Sequence, residues 1–241
     1  MTADKVENQY RDGTYLSRNP EWDRLDCMWK AELVRHVFDK FKLELKSVCE
    51  VGCGTGDILV NLKQYYPQYD YFGYDISPQA ERFWNDHIHT GIHFHCGDFI
   101  SLDTQYYDCI LIIDVIEHIA NPFHFLDAIK GRAKYFVFHL PLDLSAASVL
   151  REKPLLNSRF KVGHIHYFTK ELALAILRDA GFNIMHYQYT NAYLKGPGRS
   201  LKTRIAALPR RLICTFGIDF GVRLLGGETL IVLAEVPRNA L

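Results

Sequence analysis

Residues 47–57 read SVCEVGCGTGD, and the fold turns on that stretch. Ser47, Val48, Cys49 and Val51 suit a buried strand, with Glu50 near its end. Gly52, Gly54 and Gly56 follow at alternate positions, and Ile58, Leu59 and Leu62 then recur at helical spacing. A strand that enters a helix through glycines lets backbone approach a ligand closely, because no Cβ intervenes. It also aims the N–H groups and positive dipole end of the new helix at a bound anion. Glu50, Gly52, Cys53 and Gly54 are therefore candidate ligand-binding residues. On its own, the same pattern also describes an ordinary glycine-rich turn.

Downstream the chain alternates strand and helix. Expected strands cover 71–74, 92–96, 107–113 and 135–140, with helices starting at Ser77-Pro78 and after Pro122. The run YDCILII (107–113) has the continuous apolar character of a strand buried on both faces. Such alternation implies right-handed crossovers and a doubly wound, mostly parallel α/β sheet. Two later strands, 182–190 and 230–236, complete seven, the last of them antiparallel. Ligands of doubly wound sheets bind beyond the carboxyl ends of the strands. Those ends carry the glycine turn, Asp75, Asp98 and Asp114. The agreement of four strand tips is the strongest signal in the chain.

Around this core (45–190) we expect a mobile N-terminal arm and an amphipathic helix (1–44). A basic and amphipathic insertion (191–228) and a final strand with its tail (229–241) follow. The helical pattern over 21–41 places Leu25, Met28, Trp29, Leu33, Val37, Phe38 and Phe41 on the inner face. Residues 142–163 look irregular, with a short helix near 145–151, and Thr169 caps a helix ending at Gly181.

Composition narrows the function classes. The 241 residues are 48% hydrophobic and 13% aromatic, enough for a full core, and 28 basic side chains balance 28 acidic ones. That balance argues against a nucleic-acid partner. No apolar run reaches the ~20 residues of a spanning helix, and the first residues lack a signal-peptide core. Cys27, Cys49, Cys53, Cys96, Cys109 and Cys214 form no C-x-x-C pair, which favours reduced thiols and a cytoplasmic protein.

Asp75 stands 23 positions after Gly52, where a carboxylate can take both hydroxyls of a ribose. A nicotinamide-binding oxidoreductase would place an acid there too, but its glycines are spaced GxGxxG. The opening Glu50-Val51-Gly52-Cys53-Gly54-Thr55-Gly56 resembles the ExGCGxG motif of class I S-adenosylmethionine-dependent methyltransferases. The resemblance continues through GYDIS (73–77), CGDF (96–99), DVIEHI (114–119), GHIHYFT (163–169) and AGF (180–182). It implies that Glu50, Gly52, Cys53 and Gly54 surround the methionine end of the cofactor. It likewise implies that Asp75 takes the ribose, Ile76 the adenine face and Asp98 the adenine amino group, with Phe99 packing nearby. Asp114 and Val115 then line the methyl side.

For the acceptor side, His118 is the first candidate base, followed by His164 and His166. Each of the three can equally cap or pack. The spacing Asp114-x-x-Glu117-His118 resembles the ExxEH metal motif of ubiquinone-pathway O-methyltransferases and small-RNA 2′-O-methyltransferases. Its first position is Asp, one methylene shorter, and no metal is assigned here. The clustered His87, His89, His93 and His95 straddle a helix end and a strand, and read as surface or edge side chains. Tyr15, Trp22, Tyr167, Phe168 and Tyr193 suit a small or medium organic acceptor, with O-methylation ahead of N- or C-methylation. Residues 195–211 hold six basic side chains and no acid, followed by an apolar stretch. The span 195–225 can sit on anionic lipid, grip a phosphorylated acceptor, or form a solvated cap. A regulatory module that keeps the cofactor crevice without turnover is the rival reading from another class.

Overall fold

The computed structural model describes residues 3–22, 24–192, 213–215 and 217–236. The seven strands are β1 (Ser47–Val51), β2 (Asp70–Asp75), β3 (His93–Cys96), β4 (Tyr107–Ile113), β5 (Ala133–Leu142), β6 (Asn183–Tyr189) and β7 (Glu228–Glu235). They form one sheet in the order β3-β2-β1-β4-β5-β7-β6. The pairs among β1 to β5 are parallel, whereas β7 runs antiparallel to both β5 and β6. This is the expected doubly wound sheet with an antiparallel last strand.

Side chains alternate across the two faces, as strand geometry requires. Ile110, Ile112, Phe136, Phe138 and Leu140 enter one core, and Cys109, Leu111, Ile113 and Val137 the other. The first core lies under α7 (Pro122–Lys130) and α10 (Lys170–Asp179). The second lies under α3 (Arg24–Phe41) and α4 (Asp57–Tyr65).

Four expectations need correction. The N-terminal arm is not a loose tail but two helices, α1 (Ala3–Arg11) and α2 (Thr14–Arg18). Helix α3 buries Cys27, Ala31, Val34, Val37 and Phe38, while Leu25 and Met28 stay 68% and 61% exposed. Its inner face thus joins small residues, Cys27 and Ala31, to Val34, Val37 and Phe38, with Leu33 and Phe41 packed at its margin. Strand β5 runs through Pro141 to Leu142. Its register with β4 ends at His139, so the missing proline N–H costs that edge no ladder bond. The stretch 142–163 is largely helical, as α8 (Ala146–Arg151) and α9 (Lys153–Lys161). Three short elements complete the strand tips: α5 (Glu81–Trp84), α6 (Phe99–Leu102) and a single 3-10 turn, Ile116–His118. Helix α11 (Ile218–Leu225) precedes β7. The basic residues 195–211 and Tyr193 lie outside the described residues.

Candidate active site

The glycine turn is closed by its own hydrogen bonds. Gly52 and Cys53 donate their N–H groups to the Tyr74 carbonyl at 2.8 and 3.0 Å, and Gly56 donates to Cys53. Gly54 donates to Asp75 Oδ2 at 2.8 Å. These four N–H groups are therefore not free to receive an anion, contrary to the sequence-based expectation. What the turn supplies is shape. Gly52 and Gly54 both hold positive φ, at 78° and 51°. A Cβ on Gly52 would fall 2.6 Å from Val115 Cγ2, and one on Gly54 would fall 2.7 Å from Trp22 Nε1. Gly52→Ala should therefore lower the melting temperature and weaken cofactor binding together, with Val115→Ala partly restoring both. A Gly52→Ala variant with parental melting temperature and affinity would overturn this account.

Asp75 ends β2 with its carboxylate held on both oxygens, Oδ2 by Gly54 and Oδ1 by the Ser77 N–H at 2.8 Å. Burial pushes its pKa up, and the two backbone donors pull the other way. Each oxygen keeps a lone pair for a further donor. Asp98 caps α6, accepting from the N–H groups of Ile100 and Ser101 and from Ser101 Oγ at 2.6 Å. Asp114, a non-glycine residue at φ 53°, sits between Lys30 and His139. Lys30 Nζ lies 2.8 Å from Oδ2, and His139 Nδ1 lies 2.6 Å from Oδ1. Burial opposes ionisation of Asp114, but His139 and Lys30 outweigh it and hold the carboxyl far below its ordinary range. The network continues from His139 Nε2 to Thr229 Oγ1 at 2.8 Å and on to Thr190 and Glu228.

One cavity of about 700 Å³ gathers these tips. Gly52, Asp75, Ile76, Asp98, Phe99, Asp114, Val115 and His118 line it, so eight of the expected site residues meet in one place. Glu50, Cys53 and Gly54 do not line it. Glu50 is 1% exposed and lies behind the turn, where burial drives its pKa well up despite nearby Lys30. The Cys53 thiol faces Gly73 and Phe94, and the Trp22 and Trp84 indoles bracket Gly54. Cys53 and Gly54 are packed into the turn, Glu50 is buried near the end of β1, and none of the three lines the cavity.

The wall opposite the strand tips comes from the N-terminal helices and the segment after them: Tyr10, Arg11, Tyr15 and Trp22. Sequence reading gave Tyr15 and Trp22 to the acceptor side but missed Tyr10. Its hydroxyl lies 2.8 Å from His118 Nδ1, a contact spanning 108 residues that no local pattern could announce. Burial, then the neighbouring His164, push the His118 pKa down to about 4, against a hydrogen bond that the Gly163 carbonyl can accept from the ring. His164 sits beside His118 with ring centroids 4.9 Å apart, and its Nδ1 lies 2.6 Å from Asp143 Oδ2. His166 is elsewhere: its Nε2 meets the Ile119 carbonyl at 2.9 Å. Tyr167 bonds the carbonyls of Leu155 and His164, and Phe168 is core. Asp114 also departs from the ExxEH expectation, because Lys30 and His139 already occupy its carboxylate. His87 is buried against Asp57 at 3.1 Å and is no surface histidine.

A family model described as a methyltransferase domain matches residues 23–187. The chain belongs to that methyltransferase family. Family and fold together bear out an S-adenosylmethionine-dependent methyltransferase, and the nicotinamide alternative falls away. Magnesium protoporphyrin IX methyltransferase from Synechocystis PCC 6803, solved with S-adenosylhomocysteine, shares 15% identity at a TM-score of 0.58. That match covers 87% of this chain and 83% of the other. A methyltransferase complexed with the Trm112 activator of Haloferax volcanii gives 19% identity and a TM-score of 0.62, covering 99% and 100%. The [4+2]-cyclase SpnF gives 16% and 0.59, covering 86% and 80%. At such identities the likeness is one of fold, and the fold alone does not choose the chemistry. A search of curated proteins finds no match to the sequence. Among the described residues, no helix is long and apolar enough to cross a membrane.

Proposed function

We propose that this methyltransferase moves the S-adenosylmethionine methyl group to a hydroxyl of a small or medium organic acceptor. The carrying observation is that one cavity runs from Asp75 and Asp98 to Val115 and His118. In this reading Asp75 grips the ribose, Ile76 and Phe99 flank the adenine, and Asp98 accepts from its amino group. Gly52 and Val115 border the methionine and methyl end. Glu50, Cys53 and Gly54 act from behind by holding the turn.

The acceptor enters between the N-terminal helices and the imidazole pair. Its oxygen lone pair attacks the methyl carbon while the carbon–sulfur bond breaks onto sulfur, leaving S-adenosylhomocysteine. Holding the two in line supplies up to roughly 7–11 kcal/mol of the barrier reduction. The hydroxyl proton leaves to water past His118, which is neutral at pH 7 because its pKa is depressed to about 4. His166, already engaged with Ile119, takes no part in this scheme. None of the six cysteines is in a disulfide, in keeping with a reducing, cytoplasmic setting. The domain limits 1–44, 45–190, 191–228 and 229–241 belong to the same proposal.

The test is transfer of a labelled methyl group from the cofactor to a fractionated metabolite extract. A labelled, hydroxyl-derived product supports the reading, and a labelled amine or carbon acceptor would replace oxygen as the target. Cofactor binding with no labelled product in any fraction would favour a regulatory module instead.

A further inference from the structure

Glu117 is fully buried, yet neither of its carboxylate oxygens has a hydrogen-bond partner. An orphaned buried carboxylate is costly, and burial together with the Asp114 charge drives its pKa well up. Two imidazoles face it. His118 Nε2 lies 3.9 Å and His164 Nε2 lies 4.0 Å from Oε1. Both gaps are too long for hydrogen bonds. They come close to the spacing of donors sharing one cation, since metal–ligand bonds of about 2.0–2.2 Å separate neighbouring donors by roughly 3–4 Å.

The surroundings fit the same reading. His164 Nδ1 points to Asp143 Oδ2 at 2.6 Å, and His118 Nδ1 to the Tyr10 hydroxyl at 2.8 Å. With each Nδ1 carrying the proton, both Nε2 lone pairs turn toward Glu117, as supporting partners of metal-bound histidines commonly arrange. The backbone also prepares the cluster. The Glu117 carbonyl accepts from the N–H groups of Ile165 and His166, fastening the His164 loop to the 3-10 turn that bears Glu117 and His118. The one-atom donors of Glu117, His118 and His164 all lie within 4.8 Å of each other.

We propose that Glu117, His118 and His164 bind a divalent first-row transition-metal ion. Two imidazoles and one carboxylate suit Mn²⁺, Fe²⁺, Co²⁺ or Zn²⁺ and leave coordination positions open. His118 lines the cavity, so an acceptor hydroxyl can take an open position. There the ion lowers the pKa of the hydroxyl. Its proton leaves to water, and the oxygen attacks the methyl carbon as the carbon–sulfur pair returns to sulfur. This deepens the methyl-transfer reading and rests on it. The ligand set differs from the one suggested by ExxEH, because Asp114 is withdrawn by Lys30 and His139.

The test uses full-length protein stripped with chelator, titrated separately with Mn²⁺, Co²⁺ and Zn²⁺ by calorimetry, with visible absorption of the Co²⁺ form. We expect one ion per chain and a rise in melting temperature on binding. Glu117→Gln should lose binding at least about 100-fold and no longer show that rise, while its metal-free melting temperature stays at or above the parent's. Asp143→Asn should weaken binding about 10- to 100-fold. Affinity for S-adenosylhomocysteine should be unchanged in both variants. Absence of stoichiometric binding for all three ions overturns the proposal, as does parental affinity in Glu117→Gln. Either result with cofactor affinity intact fails the metal alone, whereas loss of cofactor binding by the parent protein fails the methyl-transfer reading.

Discussion

Asp75→Ala should bind S-adenosylmethionine at least about 100-fold more weakly than the parent protein. A charge-assisted hydrogen bond contributes about 1.5–3 kcal/mol, and two of them at the lower bound already give that ratio. The site explains why the loss should be large. Asp75 is the acceptor that closes the glycine turn through Gly54 and orders the next turn through Ser77, and it faces the cavity. Its removal deletes the grip on the sugar and loosens the backbone beneath. Asp75→Asn tests the distinction, because it keeps one acceptor oxygen but turns an amide N–H₂ toward a backbone donor. It should lie between parent and alanine variant. Calorimetric affinity for Asp75→Ala within threefold of the parent would refute the assignment of the ribose to this residue.

Lys30→Met should lower the melting temperature by roughly 6–12 °C at pH 7. Breaking a buried ion pair from one side costs about 3–5 kcal/mol. Lys30 and Asp114 are 13% and 25% exposed, and His139 still faces Asp114, so about 3 kcal/mol is the fitting end. For a chain of this size each kcal/mol moves the transition by about 2–4 °C. The pH dependence has a definite sign. Asp114 has a depressed pKa in the fold, so its contribution is present above its unfolded value of about 4 and fades as pH falls through that range. Lys30 has a raised pKa, so its contribution holds below about 10.4 and fades as pH climbs past it. Parent and variant should therefore differ most between about pH 5 and 10 and converge outside that window. A difference under 2 °C at pH 7 would show that the pair contributes little. Asp114 also carries a positive φ, and Val115, the next residue, lies against Gly52.

The cofactor half of the site was legible because each part of it is local. A strand tip, a glycine turn and a terminal carboxylate are neighbours in sequence, and strand periodicity alone lines them up at one edge. The rest depends on contacts between distant segments. Tyr10 reaches His118, and His139 reaches Thr229 across 90 residues, which no window of sequence can register. The sequence pattern of helix α3 finds Val37 and Phe38 on the buried face but also places Leu25 and Met28 there, because bulk alone does not report burial in the first turns. Lys30 offered a usable clue, since it lies three residues after Cys27 and four before Val34, both buried. A lysine on that face needs an acid opposite, and Asp114 is there. Glu117 and His118 were visible as a pair, but their companion His164 arrives on a separate loop 46 residues later. Three of the four turn N–H groups look free in the sequence because their acceptors, the Tyr74 carbonyl and the Asp75 carboxylate, belong to the neighbouring strand.

The order of the sheet also bears on how the protein is made. Strand β7 lies between β5 and β6, so β6 gains a hydrogen-bonded neighbour only after the chain has been translated through Glu235. At about 5–20 residues per second, the interval from Tyr189 to Glu235 lasts roughly 2–9 s on the ribosome. Throughout it, the edge of β5 bearing Phe136, Val137, Phe138 and Leu140 lacks the strand that will cover it. An open apolar edge of that kind recruits other chains. Chains that end before residue 228 thus keep the β5 edge open, whereas chains that extend past 235 carry the strand that covers it.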